Sequence, residues 1–239
     1  MTHLIQEKEL LKLISDEEIK IFIKLQELIK ELNKKSNLTR LIEGDDYWIS
    51  QVFDSIWPLF KNSKKVFNNK KFIDIGSGCG FPGLAYAITH PNSEIYLIDS
   101  STKKINSLKR IIKVLNLKTK IFVINDRIEN LGHISKFRNK FDIGTIRAVS
   151  SPQTVAEYIL PMLKNNGIGI LYCGKWSKEN QNKINKSLSI LKGEIIETKK
   201  IHLPANKGER NVIFIKPKEV CPRIYPREIG KAKKYPLGN

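Results

Sequence analysis

The spacing of apolar residues divides the chain into a helical beginning and a strand-rich remainder. From Glu7 to Leu32 apolar residues recur at helical spacing, with Ser15 and Asp16 between two such stretches. Glu18 lies three residues beyond Ser15, the spacing of a capping box, so a second helix is predicted to begin there. A third helix is predicted from Asp45 to Phe60.

After a charged run predicted as a linker, Lys61 to Lys71, the pattern changes to short β-type runs. These are Phe72–Ile75, Glu94–Ile98, Lys120–Ile124, Phe141–Ile146, Gly167–Tyr172, Ile195–His202 and Val212–Lys216. The first five alternate with helical stretches, which predicts βαβ units and a mostly parallel α/β sheet. Only Leu203 to Arg210 separates the last two, which predicts an antiparallel hairpin at one edge. This arrangement is typical of the methyltransferase variant of the Rossmann fold.

Length and composition fit one main domain with short extensions. A chain of 239 residues with 41% hydrophobic residues can bury a substantial core. We expect an N-terminal helical region at 1–65, a core domain at 66–217 and a basic C-terminal tail at 218–239. The apolar runs are too short to span a membrane, and the first residues lack the pattern of a secretory signal. We therefore expect a cytoplasmic protein with no membrane partner. We also expect a monomer.

Cysteine and histidine usage gives no support to metal or redox chemistry. The three cysteines, Cys79, Cys173 and Cys221, are too far apart for a metal knuckle and odd in number for a disulfide framework. The four histidines are scattered, with no pair at the spacing that places two ligands on one helix face. We predict no metal site.

The charge points to a polyanionic partner. A formal charge of +18 favours nucleic acid, although a genome rich in Lys codons would give the same excess. The final segment is rich in proline and carries the basic residues Arg223, Arg227, Lys231, Lys233 and Lys234. It is interpreted either as an arm on RNA phosphates or as a disordered solubilising end.

A glycine-rich turn follows the first β-type run. Asp74, Gly76, Gly78 and Gly80 form a DxGxGxG pattern, whereas a dinucleotide fingerprint requires its third glycine where Phe81 stands. Glycines let the backbone approach a ligand closely, which suits S-adenosylmethionine, a cofactor without phosphate. Asp74 is expected to position either the loop or the ligand's ammonium group. An ordinary tight turn is the alternative.

Polar residues follow the next three runs. Asp99 ends the second run, where an acidic residue accepts hydrogen bonds from ribose hydroxyls, and the alternative is a cap for a helix predicted at Lys103–Leu115. The turn from Asn125 to Glu129 is placed near the adenine end of the same crevice. Arg147 is expected at its mouth, where the cofactor and the methyl acceptor meet, with a surface ion pair as the alternative.

Several segments together resemble the bacterial 16S rRNA guanine-N7 methyltransferase G family, also called the glucose-inhibited division protein B family. They are Asn37-Leu38-Thr39, Asp54-Ser55, the DIGSGCGFPG loop, Ile98-Asp99-Ser100, Asp126-Arg127-Ile128-Glu129, Arg147-Ala148-Val149, and Tyr225-Pro226-Arg227 with Gly230. The resemblance covers nearly the whole chain. It implies S-adenosylmethionine as the cofactor, 16S rRNA or the small ribosomal subunit as the partner, and 7-methylguanosine as the product.

The resemblance also implies particular site residues. Gly76, Phe81, Ile128 with Glu129, and Arg147 occupy positions that bind the cofactor in the family. Two departures stand out: Ile128 replaces a usually small residue, and Lys231-Ala232-Lys233 replaces a more proline-containing tail.

Guanine N7 carries an in-plane lone pair, so its methylation depends on in-line alignment more than on a general base. Arg147 is therefore the predicted catalytic residue, acting by positioning and charge stabilisation. The alternatives are a methyltransferase for another RNA or a small molecule, a non-catalytic RNA-binding protein on this scaffold, and a nicotinamide-dependent oxidoreductase. Cytosine C5 chemistry needs a Pro-Cys nucleophile, but here Cys221 precedes Pro222.

Overall fold

The computed structural model describes residues 13–60, 67–147 and 149–238. Its α-helices are α1 (Asp16–Ser36), α2 (Gly44–Tyr47), α3 (Asp54–Phe60), α4 (Gly83–Thr89), α5 (Thr102–Leu115), α6 (Ile128–Leu131), α7 (Pro152–Ile159), α8 (Lys178–Leu191) and α9 (Lys231–Lys234). Its strands are β1 (Lys71–Ile75), β2 (Glu94–Asp99), β3 (Lys120–Asn125), β4 (Phe141–Arg147), β5 (Leu163–Cys173), β6 (Gly193–His202) and β7 (Glu209–Pro217).

The strands form one seven-stranded sheet in the order β3-β2-β1-β4-β5-β7-β6. Strands β1 to β5 pair in parallel, while β7 runs antiparallel to both β5 and β6. The predicted α/β sheet with an antiparallel edge hairpin is confirmed. The strand order reverses between β1 and β4, and ligands of such sheets bind beyond the carboxyl ends of the strands at this point.

The edge hairpin is longer than its apolar runs predict. Cross-strand ion pairs extend it at both ends, with Lys200 Nζ 2.7 Å from Glu209 Oε2 and Lys216 Nζ 3.3 Å from Glu194 Oε1. Such pairs stabilise strand positions occupied by charged residues. A prediction based on the spacing of apolar residues does not include these positions.

The N-terminal helical region packs on the sheet domain. The predicted capping box at Ser15 and Glu18 is present at the start of α1, while the helix predicted before it lies largely outside the described residues. The buried side chains of Phe22 and Leu25 join the same hydrophobic cluster as Leu84 of α4. Among the described helices, none has both the length and the apolar character that a membrane span requires.

The third predicted helix is interrupted. A π-helical segment, Trp48–Phe53, stands between α2 and α3 where one continuous helix was expected. Wider turns of this kind are frequent at functional sites. Here the segment carries groups that bond to Arg147 at the end of β4.

The C-terminal segment 218–238 packs against the domain instead of extending from it. Arg138 Nη1 donates to the carbonyl of Tyr225 at 2.6 Å, and its Nη2 donates to those of Cys221 and Pro222 at 2.7 and 3.0 Å. His133 Nε2 lies 2.7 Å from Pro226 O. The alternative of a disordered end does not fit these contacts, because Arg138 binds carbonyls that the proline-rich backbone leaves without helix or sheet partners.

Candidate active site

An open cleft lies at the carboxyl ends of the parallel strands. Its walls include Gly76 after β1, Asp99 at the end of β2, Ile128 and Glu129 of α6, Tyr158 of α7 and Lys233 of α9. These residues come from five separate elements or turns, so the fold assembles the site from positions far apart in sequence. This is the switch region of the sheet, where a ligand is expected.

Gly76 forms the floor of the cleft with its backbone. Its N–H and that of Ser77 both donate to the carbonyl of Ile98, at 2.8 and 2.9 Å, which ties the turn to β2. Gly76 has φ +76°, and a Cβ atom there would lie 2.7 Å from Val149 Cγ2. The position therefore requires glycine for its conformation and for space.

Asp99 connects the glycine turn to the following helix. Its Oδ2 accepts from Gly78 N at 2.9 Å and its Oδ1 accepts from Ser101 N at 2.8 Å. Ser101, not Asp99, caps helix α5. A carboxylate offers about four acceptor positions, so Asp99 retains lone pairs for ribose hydroxyls while it holds the turn.

Asp74 lies beneath the turn and is fully buried. Its Oδ2 accepts from Gly83 N at 3.1 Å and its Oδ1 accepts from Thr145 Oγ1 at 2.8 Å. Burial raises the pKa of this carboxyl from 3.8 to about 6, against the opposing effect of these hydrogen bonds. These contacts join β1 to α4 and β4, and Asp74 is not among the residues that line the cleft.

Three other loop residues predicted to bind the cofactor are also absent from the cleft lining. Gly78 takes part through its N–H to Asp99. A Cβ atom at Gly80 would lie 2.8 Å from Leu84 Cγ, so Gly80 permits close packing of the loop on α4. Phe81 is buried, with its ring centroid 5.9 Å from that of Tyr47 in an edge-on contact.

Ile128 and Glu129 form the opposite wall. Ile128 is buried and supplies apolar surface, and Glu129 Oε1 accepts from Tyr158 Oη at 3.0 Å and from Gly230 N at 3.2 Å. Burial, followed by the charge of Glu129, raises the pKa of Tyr158, so its hydroxyl remains a donor at neutral pH. Glu129 is therefore held on two sides, one of which is the C-terminal segment.

Arg147 reaches the N-terminal helical region. Its Nη1 donates to Ser50 O at 3.3 Å, to Ser55 Oγ at 3.3 Å and to Asp54 Oδ2 at 3.4 Å, and its Nη2 bonds to Gln51 Oε1. The guanidinium thus links the end of β4 to the π-helical segment. It does not belong to the cleft lining itself.

Sequence reasoning missed the parts of Tyr158 and Lys233 in the cleft. Tyr158 lies within an apolar helix where nothing in the local pattern distinguishes it from a core residue, and Lys233 was singled out only for its charge. No cluster of potential metal ligands occurs among residues 13–60, 67–147 and 149–238.

The cleft fits S-adenosylmethionine. The carboxylate of Asp99 suits a ribose, and the apolar surface of Ile98 and Ile128 suits an adenine. At Gly76 the floor of the cleft is backbone without a side chain, so a ligand can approach closely. The sheet order and this set of groups define an S-adenosylmethionine-dependent methyltransferase of Rossmann-like fold. Residues 18–213 match the GidB family model, described as rRNA small subunit methyltransferase G, and the chain belongs to that family.

Known relatives agree with this assignment over nearly their whole length. A ribosomal RNA small subunit methyltransferase G of Prochlorococcus marinus (strain MIT 9515) is 68% identical over 230 residues, 96% of each chain. The protein of the same name from strain NATL1A is 47% identical over 238 residues, covering 100% of this chain and 96% of the relative. The fold is similar to that of a branched-chain polyamine synthase mutein from Thermus thermophilus, with TM-score 0.51, 13% identity and coverage of 64% of this chain and 52% of that chain.

Proposed function

We propose that this enzyme transfers a methyl group from S-adenosylmethionine to N7 of a guanine in 16S rRNA. The observation that carries the proposal is the cleft joining Gly76, Asp99 and Glu129 in a chain that belongs to the rRNA small subunit methyltransferase G family. When bound, S-adenosylmethionine supplies an electrophilic methyl group on a sulfonium.

The protein's own groups would hold the cofactor at fixed points. Asp99 accepts from the ribose hydroxyls with the lone pairs that Gly78 and Ser101 leave free. Ile98 and Ile128 provide the apolar faces for the adenine, and the turn at Gly76 gives the backbone close approach. Asp74 lies beneath the glycine turn and fixes it against α4 and β4.

The guanine must be held with N7 in line with the methyl group, and the site must accommodate the positive charge that the purine gains. The N7 lone pair lies in the plane of the purine and attacks without losing a proton, so a general base is unnecessary. As the N7–methyl bond forms and the methyl–sulfur bond breaks, positive charge moves to the purine. A pocket of fixed dipoles and carboxylates accommodates that charge better than mobile water does.

Arg147 is the proposed positioning residue for this step. It holds the end of β4 against the π-helical segment through Ser50 and Gln51. In this proposal the acceptor base enters beside the N-terminal helical region. Arg147 is already engaged in several hydrogen bonds, so its role is to fix this geometry rather than to move a proton.

The RNA surface is inferred from charge. The net charge of +18 suits a substrate that releases counterions when phosphates are neutralised. Of the five basic residues singled out in the sequence of this segment, Arg223, Lys231, Lys233 and Lys234 are exposed, whereas Arg227 is paired with Glu157. The arm hypothesis therefore rests on the exposed four, and a different RNA or a small molecule remains the alternative acceptor.

Mapping of rRNA modification in cells with and without the protein tests this proposal. We expect one 7-methylguanosine in 16S rRNA to disappear with the protein and to return with the wild-type chain. Unchanged 16S rRNA, with loss of a methyl group from another RNA, would transfer the assignment to that RNA.

A further inference from the structure

The C-terminal segment contacts the cleft, or helix α7 beside it, at three points. Lys233 of α9 is one of the lining residues, opposite the strand ends that carry Gly76 and Asp99. Gly230, at the start of α9, donates its N–H to Glu129 Oε1 at 3.2 Å. Ala232 between them is fully buried, and its carbonyl accepts from Thr154 Oγ1 at 3.0 Å.

The segment is also fastened beside the cleft by a buried ion pair. Arg227 Nη2 lies 2.7 Å from Glu157 Oε2, its Nε donates to Oε1 at 3.0 Å, and the Glu157 side chain is fully buried. Two parallel N–H···O bonds of this kind fix orientation as well as position. Glu157 lies next to Tyr158 in α7, so the same helix presents the anchor of the segment and one wall of the cleft.

We propose that residues 221–238 of the C-terminal segment are part of the cofactor site and that Lys233 donates hydrogen bonds to the bound S-adenosylmethionine. This inference rests on the proposed function. A lysine ammonium has three donors and no acceptor, and the cofactor offers acceptors in its carboxylate, its ribose oxygens and its ring nitrogens. The segment is thus required for cofactor affinity, although it lies outside the residues of the glycine turn and the strand ends.

Gly132 offers a way to displace the segment from a position outside the cleft lining. Its φ of −62° and ψ of −16° are helical, so alanine is compatible with the backbone. A Cβ atom there would lie 2.6 Å from Pro226 Cγ, and the methyl group would push the segment outwards. Gly132→Ala therefore tests whether cofactor binding requires the packed position of the segment. Lys233→Ala tests whether it requires the ammonium group of Lys233.

Lys231→Ala is the matched control, because Lys231 is an exposed lysine of the same short helix and is absent from the cleft lining. Titration calorimetry of the full-length chain with S-adenosylmethionine gives the affinities. We expect Lys233→Ala to bind at least about fivefold more weakly than wild type, as for loss of a charge-assisted hydrogen bond at an exposed rim. Gly132→Ala should bind more weakly as well, and Lys231→Ala should stay within about twofold of wild type.

Suppose that the wild-type chain binds S-adenosylmethionine and that Lys233→Ala and Gly132→Ala both bind it with the same affinity. This result would overturn the inference and leave the proposed function intact. Absence of binding by the wild-type chain would contradict the proposed function itself. If Gly132→Ala does not fold, the comparison of Lys233→Ala with Lys231→Ala decides. A Lys233→Ala protein that keeps its cofactor affinity and loses RNA affinity would place Lys233 on the RNA surface and overturn the inference.

Discussion

The carboxylate of Asp99 accepts a hydrogen bond from the backbone N–H of Gly78 at 2.9 Å. This bond ties the end of β2 to the glycine turn that follows β1. The residue proposed to bind the ribose therefore also fixes the backbone that approaches the cofactor, so the two functions of Asp99 are separable only by experiment.

Asp99→Ala should weaken S-adenosylmethionine binding by about 1.5 to 3 kcal/mol, because hydrogen bonds to a charged group contribute that much. Calorimetry measures the change. Asp142 is a suitable control, since it also accepts from a backbone N–H, that of Lys71 at 2.8 Å, at the other end of the sheet. An unchanged dissociation constant in Asp99→Ala would limit Asp99 to holding the turn and the start of α5.

Gly76→Ala should also lower cofactor affinity. The left-handed conformation at φ +76° costs a non-glycine residue roughly 1–2 kcal/mol, and the new Cβ would meet Val149 Cγ2 at 2.7 Å. Adding Val149→Ala should relieve the contact and restore part of the affinity. Gly174→Ala, where a Cβ has no heavy atom within 4 Å, serves as the control. Wild-type affinity in folded Gly76→Ala would show that the cofactor binds elsewhere.

The glycine turn and the strand ends were predictable, because they depend on local order along the chain. Alternating apolar runs determined the parallel sheet, and each run ended close to its predicted residue. The hairpin ends were not predictable, since Lys200 and Glu209 stabilise each other only once the strands are paired. The sequence left open whether Asp74 positions the loop or the ligand's ammonium group, and its contacts with Gly83 and Thr145 fix the loop.

The remaining parts of the cleft depend on contacts between distant segments. Glu129 and Gly230 are hydrogen-bonded although 101 positions separate them, and no spacing rule predicts such a bond. The π-helical segment 48–53 is not part of the cleft lining, but it depends on distant contacts in the same way, because it bonds to Arg147 only after the helical region docks on β4.

The stability of the protein should depend on pH through Asp74. Burial raises its pKa from 3.8 to about 6, so between these values the folded state keeps a proton that the unfolded state has lost. The stability that this proton contributes is complete below pH 3.8 and is lost as pH rises through about 6. Ionised Asp74 therefore destabilises the protein at neutral pH.

Asp74→Asn should remove this dependence. Relative to wild type, the variant should gain about 3 kcal/mol in free energy of unfolding between about pH 4 and about pH 8. Urea denaturation at both pH values measures the difference, in which the titration of other groups cancels. Parallel pH profiles for the two proteins would contradict the raised pKa.

Arg147 should contribute more to stability than Arg210, although both bond to the same atom. Asp54 Oδ2 lies 3.4 Å from Arg147 Nη1 and 3.3 Å from Arg210 Nε. Arg147 also donates hydrogen bonds to Ser50 and Gln51. Arg147→Ala should cost about 3 kcal/mol, the range for breaking a buried pair, and Arg210→Ala about 1 kcal/mol. Denaturant unfolding of both variants measures this, and equal losses would contradict the proposed docking role of Arg147.

Methyl transfer with purified components tests the central claim most directly. The wild-type chain is incubated with radiolabelled S-adenosylmethionine and small ribosomal subunits from cells that lack the protein, and the 16S rRNA is digested to nucleosides. We expect label in 7-methylguanosine only, and much less of it with Asp99→Ala. Label at another atom or base, or no label from a folded enzyme that binds the cofactor, would contradict it.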